Sequence, residues 1–254
     1  MSQRRSRNEA REVREVQSKH PARTKVNKDA LSRFEPKTPG QLEYVKLMES
    51  HPITLVIGPA GSGKTFLCIR SAIKDLIEGK CNKIVLTRPA IEAAGERLGA
   101  LPGNEKEKIF PYLRPLYDSL EKILGKIETE RLINMGAIEI IPLAYMRGMS
   151  LDAWVILDEA QNTSIDQFKM LLTRLGKYSK LVATGDLEQS DMDRTNKRSG
   201  LEDAVLRFAE EKEIAVARLG MADIQRHPLV CRIIKAYQIP LSGDISYKKL
   251  YENK

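Results

Sequence analysis

Residues 53–65 read ITLVIGPAGSGKT. The run Ile53 to Ile57 is short and apolar, which predicts a buried strand. After Thr65, Phe66, Ile69, Ile73 and Leu76 or Ile77 recur at spacings of three and four, which predicts an amphipathic helix ended by Gly79. Between the two, Gly58 to Thr65 matches G-x-x-x-x-G-K-[ST]. That order has a mechanism. The glycines let backbone N–H groups wrap a phosphate, the helix N-terminus adds positive potential, Lys64 reaches the outer phosphates and Thr65 offers a hydroxyl to magnesium. The expected nucleotide-binding segment is therefore Gly58, Pro59, Ala60, Gly61, Ser62, Gly63, Lys64, Thr65 and Phe66.

Outward from this segment, short β-rich runs alternate with helical periods. The predicted strands are Lys83 to Thr87, Ile138 to Pro142, Trp154 to Asp158, Lys180 to Thr184 and Ile214 to Arg218. Such alternation predicts an α/β fold, a parallel sheet with helices on both faces. A capping box, Ser164 with Gln167, opens a helix through Ile165, Phe168, Leu171, Leu172 and Leu175, with Gly176 as its terminator. Between Glu92 and Pro115, Gly95, Gly99, Pro102, Gly103, Pro111 and Pro115 crowd together, which predicts a long, partly irregular excursion from the sheet.

Composition bounds the function. A chain of 254 residues with 42% hydrophobic content can build one substantial core. No run of 18 apolar residues occurs and no apolar segment follows the basic start, so a soluble cytoplasmic protein without membrane contact is expected. Cys68, Cys81 and Cys231 stand far apart and read as core thiols. The formal charge of +8 is concentrated at one end, because residues 1–33 hold ten Lys or Arg against four acids. With few large apolar residues, this stretch is expected to be a disordered basic arm, leaving an ATPase domain at 34–240 and a tail at 241–254. Its charge suits nucleic-acid phosphate or simple solubility, and composition leaves both open.

The remaining chemistry follows from the phosphate cradle. A P-loop needs an acid at the end of a neighbouring strand to hold the magnesium shell, and WVILDE supplies Asp158. Glu159 follows at once and is placed to polarise the attacking water. By itself an Asp-Glu pair after a strand is an ordinary solvated strand end; a P-loop in the same chain makes it catalytic. The next strand leads through Asp186 to Gln189, the candidate γ-phosphate sensor. Guanine-specific sites carry Asn-Lys-x-Asp, whereas Asn82-Lys83 and Asn196-Lys197 are followed by other residues, so ATP is the expected nucleotide.

GPAGSGKT, LTRPA (86–90), GERLGALPG (95–103), PYLRPLYDSL (111–120), PLAYMRGMSL (142–151), VILDEAQNT, LLTRLG, ATGDLEQ and RHPLV occur in this order. Together they resemble the PhoH family, phosphate-starvation-inducible ATPases related to the core of superfamily one helicases. The resemblance covers about Thr38 to Tyr237 and implies a RecA-like P-loop NTPase fold with ATP and Mg2+ as cofactors. It also implies action on RNA or single-stranded nucleic acid, and a homo-oligomer in the form of a hexameric ring. By resemblance, Gln41 contacts adenine, Thr87 and Arg88 lie on the nucleic-acid face, and Arg226 is the γ-phosphate arginine, supplied to a neighbouring subunit. Met149, Glu188 and Ser190 depart from the family pattern. The competing expectation is an assembly protein whose oligomeric state is set by ATP and which unwinds nothing.

Overall fold

The computed structural model describes Leu31 and residues 34–89, 105–189 and 198–238. The chain runs through α1 (Pro39–Ser50), β1 (Ile53–Ile57), α2 (Lys64–Ile77), β2 (Ile84–Thr87), α3 (Glu105–Leu124), α4 (Lys126–Asn134) and β3 (Ile138–Ile140). It continues through β4 (Trp154–Leu157), α5 (Ile165–Leu172), β5 (Lys180–Gly185), α6 (Gly200–Arg207), β6 (Ile214–Arg218) and α7 (Pro228–Gln238). The six strands form one sheet in the order β3-β2-β4-β5-β1-β6, and every pairing is parallel.

Successive residues of a strand face opposite sides, so each buried strand feeds two cores. Val56, Ile84, Leu86, Trp154, Ile156 and Val182 point to one face, where α1 to α4 contribute Tyr44, Met48, Ile69, Ile73, Leu116, Leu120 and Leu132. Leu55, Val85, Val155, Leu157, Leu181 and Ala183 point to the other, where α5 and α6 contribute Phe168, Leu171, Leu201 and Val205. This is the RecA-like P-loop arrangement, with helices on both faces of a parallel sheet.

Three expectations are corrected. The strand carrying Asp158 does not adjoin β1: β5 lies between them, so the P-loop and the acid are two strand spacings apart. Pro111 and Pro115 lie inside α3 rather than in an irregular excursion. A helix tolerates such prolines only when something outweighs their cost of about 3 kcal/mol each, and here Leu113, Leu116, Leu120 and Ile123 form a buried stripe at helical spacing. The earlier part of that excursion, residues 90–104, lies outside the described residues. Finally, α5 has its capping box but stops at Leu172. Leu175 instead bridges Leu151 in parallel register, and the Gly176 N–H donates to the Leu151 carbonyl at 2.8 Å.

The two outer segments expected at 1–33 and 241–254 also lie outside the described residues, apart from Leu31. Leu31 packs into the first core, and Arg70 Nε donates to its carbonyl at 3.2 Å. Among the described residues, no helix is long and apolar enough to cross a membrane.

Candidate functional site

β1 ends at Ile57 and α2 begins at Lys64, and the turn between them is shaped by Gly61 and Gly63, at φ 84° and 90°. A side chain at either position would be strained, and a Cβ on Gly61 would lie 2.4 Å from Arg226 Nε. Gly63 caps α2 without any side-chain hydrogen bond, so the first-turn N–H groups remain available as donors to an anion. Lys64 curls over the turn, its ammonium donating to the carbonyls of Gly58 and Pro59 at 2.5 and 3.0 Å. Burial lowers its pKa, while the carboxylates of Asp186, Glu159 and Asp158 pull it back up. A cation held by neutral carbonyls beside three acids can exchange them for charged phosphate oxygens.

The acid lies across β5. Asp158 is 5% exposed, and its Oδ1 accepts from Thr65 Oγ1 at 2.6 Å and from Thr184 Oγ1 at 2.8 Å. Thr184 therefore fills the gap that the intervening strand opens between P-loop and acid. Glu159 has φ 54°, and among the described residues no other non-glycine has positive φ. Backbone strain of this kind costs of order 1–3 kcal/mol and clusters at functional sites. The Glu159 carboxylate accepts from Gln161 Nε2, and Gln161 Oε1 in turn accepts from the Asp186 N–H at 3.1 Å. Burial raises the Asp186 pKa, opposed chiefly by Lys64.

One cleft gathers most of the residues singled out from the sequence: Ala60, Gly61, Gly63, Lys64, Thr65 and Phe66 on one wall, Asp158 and Glu159 on another, with Gln189 and Arg226 beside them. Phe66 stands at its edge against Phe34, ring centroids 4.8 Å apart. Gly58, Pro59 and Ser62 stay behind the loop: two lend their carbonyls to Lys64, and Ser62 Oγ donates to the Pro59 carbonyl at 2.8 Å.

Four residues stand differently from expectation. Gln41 is buried, with Nε2 donating to the carbonyls of Ser62 and Asp223 and Oε1 accepting from the Lys37 N–H, so it braces the P-loop from behind. Thr87 is wholly buried, with an unpartnered hydroxyl, and presents no surface to nucleic acid. Arg88 turns into the cleft, its Nε 3.3 Å from Asp158 Oδ2 and its Nη2 3.1 Å from Glu159 Oε1, because two adjacent carboxylates attract the guanidinium inward. Arg226 lines the cleft of its own chain: the Gln225 N–H donates to the Gly61 carbonyl at 3.0 Å and brings the arginine over the P-loop.

Sequence reading missed Thr184 and Gln161. Thr184 ends the predicted fifth strand, but only the strand order reveals that it lies between Lys64 and Asp158. Gln161 stands two residues beyond Glu159, and the tight 3-10 turn at Ala160–Asn162 that folds it back left no residue pattern to read.

Residues 33–238 match the family model described as PhoH-like protein. The PhoH-like protein of Bacillus subtilis (strain 168) is 54% identical over 202 residues, which cover 79% of this chain and 63% of that protein. The PhoH-like protein of Synechocystis sp. is 48% identical over 203 residues, covering 80% and 61%. Protein PhoH of Escherichia coli (strain K12) is 42% identical over 200 residues, covering 78% and 56%. The chain thus spans from 56% to 63% of the length of these curated relatives. Among solved structures, Pif1 helicase from Candida albicans matches 73% of this chain and 40% of its own, at 17% identity and a TM-score of 0.38. With a P-loop and strand-end acids facing one cleft, and a family model matched from residue 33 to residue 238, the chain belongs to the PhoH-like protein family.

Proposed function

We propose that the cleft binds ATP with magnesium and hydrolyses it, and that hydrolysis is coupled to RNA or single-stranded nucleic acid. The observation that carries this reading is the bond from Thr65 Oγ1 to Asp158 Oδ1 beside the partly buried ammonium of Lys64. A hydroxyl and a carboxylate are the oxygen donors a divalent cation takes, and the uncapped start of α2 is an anion site. A bound magnesium ion, held by Thr65 and Asp158, would neutralise charge on the phosphate oxygens.

The chain's own groups do the rest. Lys64 leaves two neutral carbonyls for the outer phosphates, where its charge stabilises the charge that develops during transfer. Glu159, held in its strained backbone geometry, accepts the proton of the attacking water, and Gln161 fixes the direction in which its carboxylate points. Gln189 and Arg226 border the same space, and in this reading they contact the terminal phosphate. Gln41 reaches adenine only if its amide gives up Ser62 or Asp223, so its first role is to hold the P-loop. Arg226 lines the cleft of its own chain, so it can reach the phosphates there without a second subunit.

The test is ATP turnover of the unaltered protein and of Lys64→Ala, each with and without single-stranded RNA and DNA. Lys64→Ala should abolish turnover, and nucleic acid should raise that of the unaltered protein. Turnover of Lys64→Ala within about twofold of the unaltered protein would remove the P-loop assignment. Turnover indifferent to both nucleic acids would favour a protein whose assembly, rather than whose motion on a strand, is set by ATP.

A further inference from the structure

Arg88 makes three inward contacts. Besides Asp158 and Glu159, it reaches α3, where Nη1 donates to the Tyr112 carbonyl at 3.1 Å. Thr65 and Thr184 already occupy Oδ1 of Asp158, and Gln161 occupies Oε2 of Glu159. With Arg88 ion-paired to the other two oxygens, every carboxylate oxygen of the acid pair has a partner. The guanidinium shares the approach to Glu159 with an attacking water, and a divalent cation held through Asp158 competes with it for the same charge. The Tyr112 carbonyl lies between Pro111 and Pro115, neither of which offers an N–H to the helix.

We propose that Arg88 is a positioning residue that gives way to the metal–nucleotide complex: loading the cleft drives its guanidinium off the acid pair and away from the Tyr112 carbonyl, freeing Glu159 and loosening the middle of α3, residues 112–120. The idea rests on the nucleotide reading above and adds a coupling to it. Whatever holds Arg88 away from the acids favours the loaded cleft, and the loaded cleft favours that ligand to the same degree. A nucleic-acid phosphate at the β2–α3 side of the molecule has the charge to do so.

Hydrogen exchange on the full chain tests this with a readout other than turnover. The unaltered protein, Arg88→Met and Arg88→Lys are compared alone, with a non-hydrolysable ATP analogue plus magnesium, and with the analogue plus a chelator. In the unaltered protein, analogue with magnesium should protect the P-loop amides and speed exchange in residues 112–120 roughly tenfold, the change expected from losing one charge-assisted hydrogen bond. Analogue with chelator should protect the P-loop and leave α3 as it was. Arg88→Met should exchange fast in α3 throughout and show no response there, while its P-loop still responds. Arg88→Lys, with one ammonium in place of a three-armed donor, should fall between them. The proposal is overturned if α3 ignores magnesium and analogue while the P-loop is protected, or if Arg88→Met responds in α3 like the unaltered protein. An unprotected P-loop in the unaltered protein would instead overturn the nucleotide reading beneath it. Should Arg88→Met fail to fold, the chelator comparison in the unaltered protein and the Arg88→Lys response decide the matter.

Discussion

Two buried threonines on neighbouring strands offer a matched test of what holds the acid in place. Thr184 and Thr54 are both wholly buried, and valine has nearly the shape of either. Thr184 Oγ1 donates to Asp158 Oδ1 at 2.8 Å, whereas Thr54 Oγ1 has no partner. A hydrogen bond to a charged group contributes about 1.5–3 kcal/mol. Oδ1 keeps Thr65 as a second donor at 2.6 Å, so Thr184→Val belongs at the lower end, a loss of about 1.5 kcal/mol or tenfold in the folding equilibrium. Thr54→Val should act in the opposite sense. A buried hydroxyl left unpaired costs about 1–3 kcal/mol, so removing it should stabilise by about 1 kcal/mol. The two variants should therefore differ by about 2.5 kcal/mol in urea unfolding without nucleotide or metal. If both midpoints move the same way, or the gap is under about 1 kcal/mol, Thr184 does not support the acid as described.

Three further outcomes are expected. Glu159→Gln should keep nucleotide and magnesium bound while hydrolysis falls about 10²-fold or more; lost affinity with an unchanged maximal rate would place the base elsewhere. Because burial raises the Asp186 pKa, its ionised form weighs against the fold above that pKa, and the penalty fades as pH falls through the carboxylate range. Asp186→Asn should thus raise the urea midpoint at about pH 7, with a gain that shrinks towards about pH 4; a lower midpoint at neutral pH would mean that the pull of Lys64 outweighs burial. Deleting residues 1–30 spares the packed Leu31 and removes nine Lys or Arg against four acids, so nucleic-acid binding should weaken and its salt dependence flatten. An unaltered salt slope would leave the segment as an aid to solubility.

The strands were legible because each is a short apolar run: Ile53–Ile57 and Ile214–Arg218 have the predicted ends, and the other four differ by at most two residues at either end. Proline misled the reading at α3, where a buried leucine stripe outweighs two local penalties. Glycine misled it at α5, where Leu175 gains more from Leu151 than from another helical turn. Within the site, a contiguous motif is readable because its spacing is its geometry. Thr184, Gln161 and Arg88 come to the acid pair from three different segments, and which charge an arginine faces depends on strand order that no local pattern encodes. Gln41 is similar: its hold on Ser62 and Asp223 follows no local pattern.

The strand order also governs how this protein must be made. β1 leaves the ribosome well before both of its sheet partners, β5 and β6, with Ile53 set against Leu181 on one side and Ile214 on the other. Until Arg218 has been synthesised, the strand that leads into the P-loop has one bare edge, and until Gly185 it has two. Loop-closure entropy for such distant partners is paid late, which makes this a slow fold with an exposed apolar strand in the nascent chain. A chain cut short before β5 would carry the whole glycine-rich motif and still lack the neighbours that hold it in shape, so the family's most readable signature is among the last parts of the molecule to become structure.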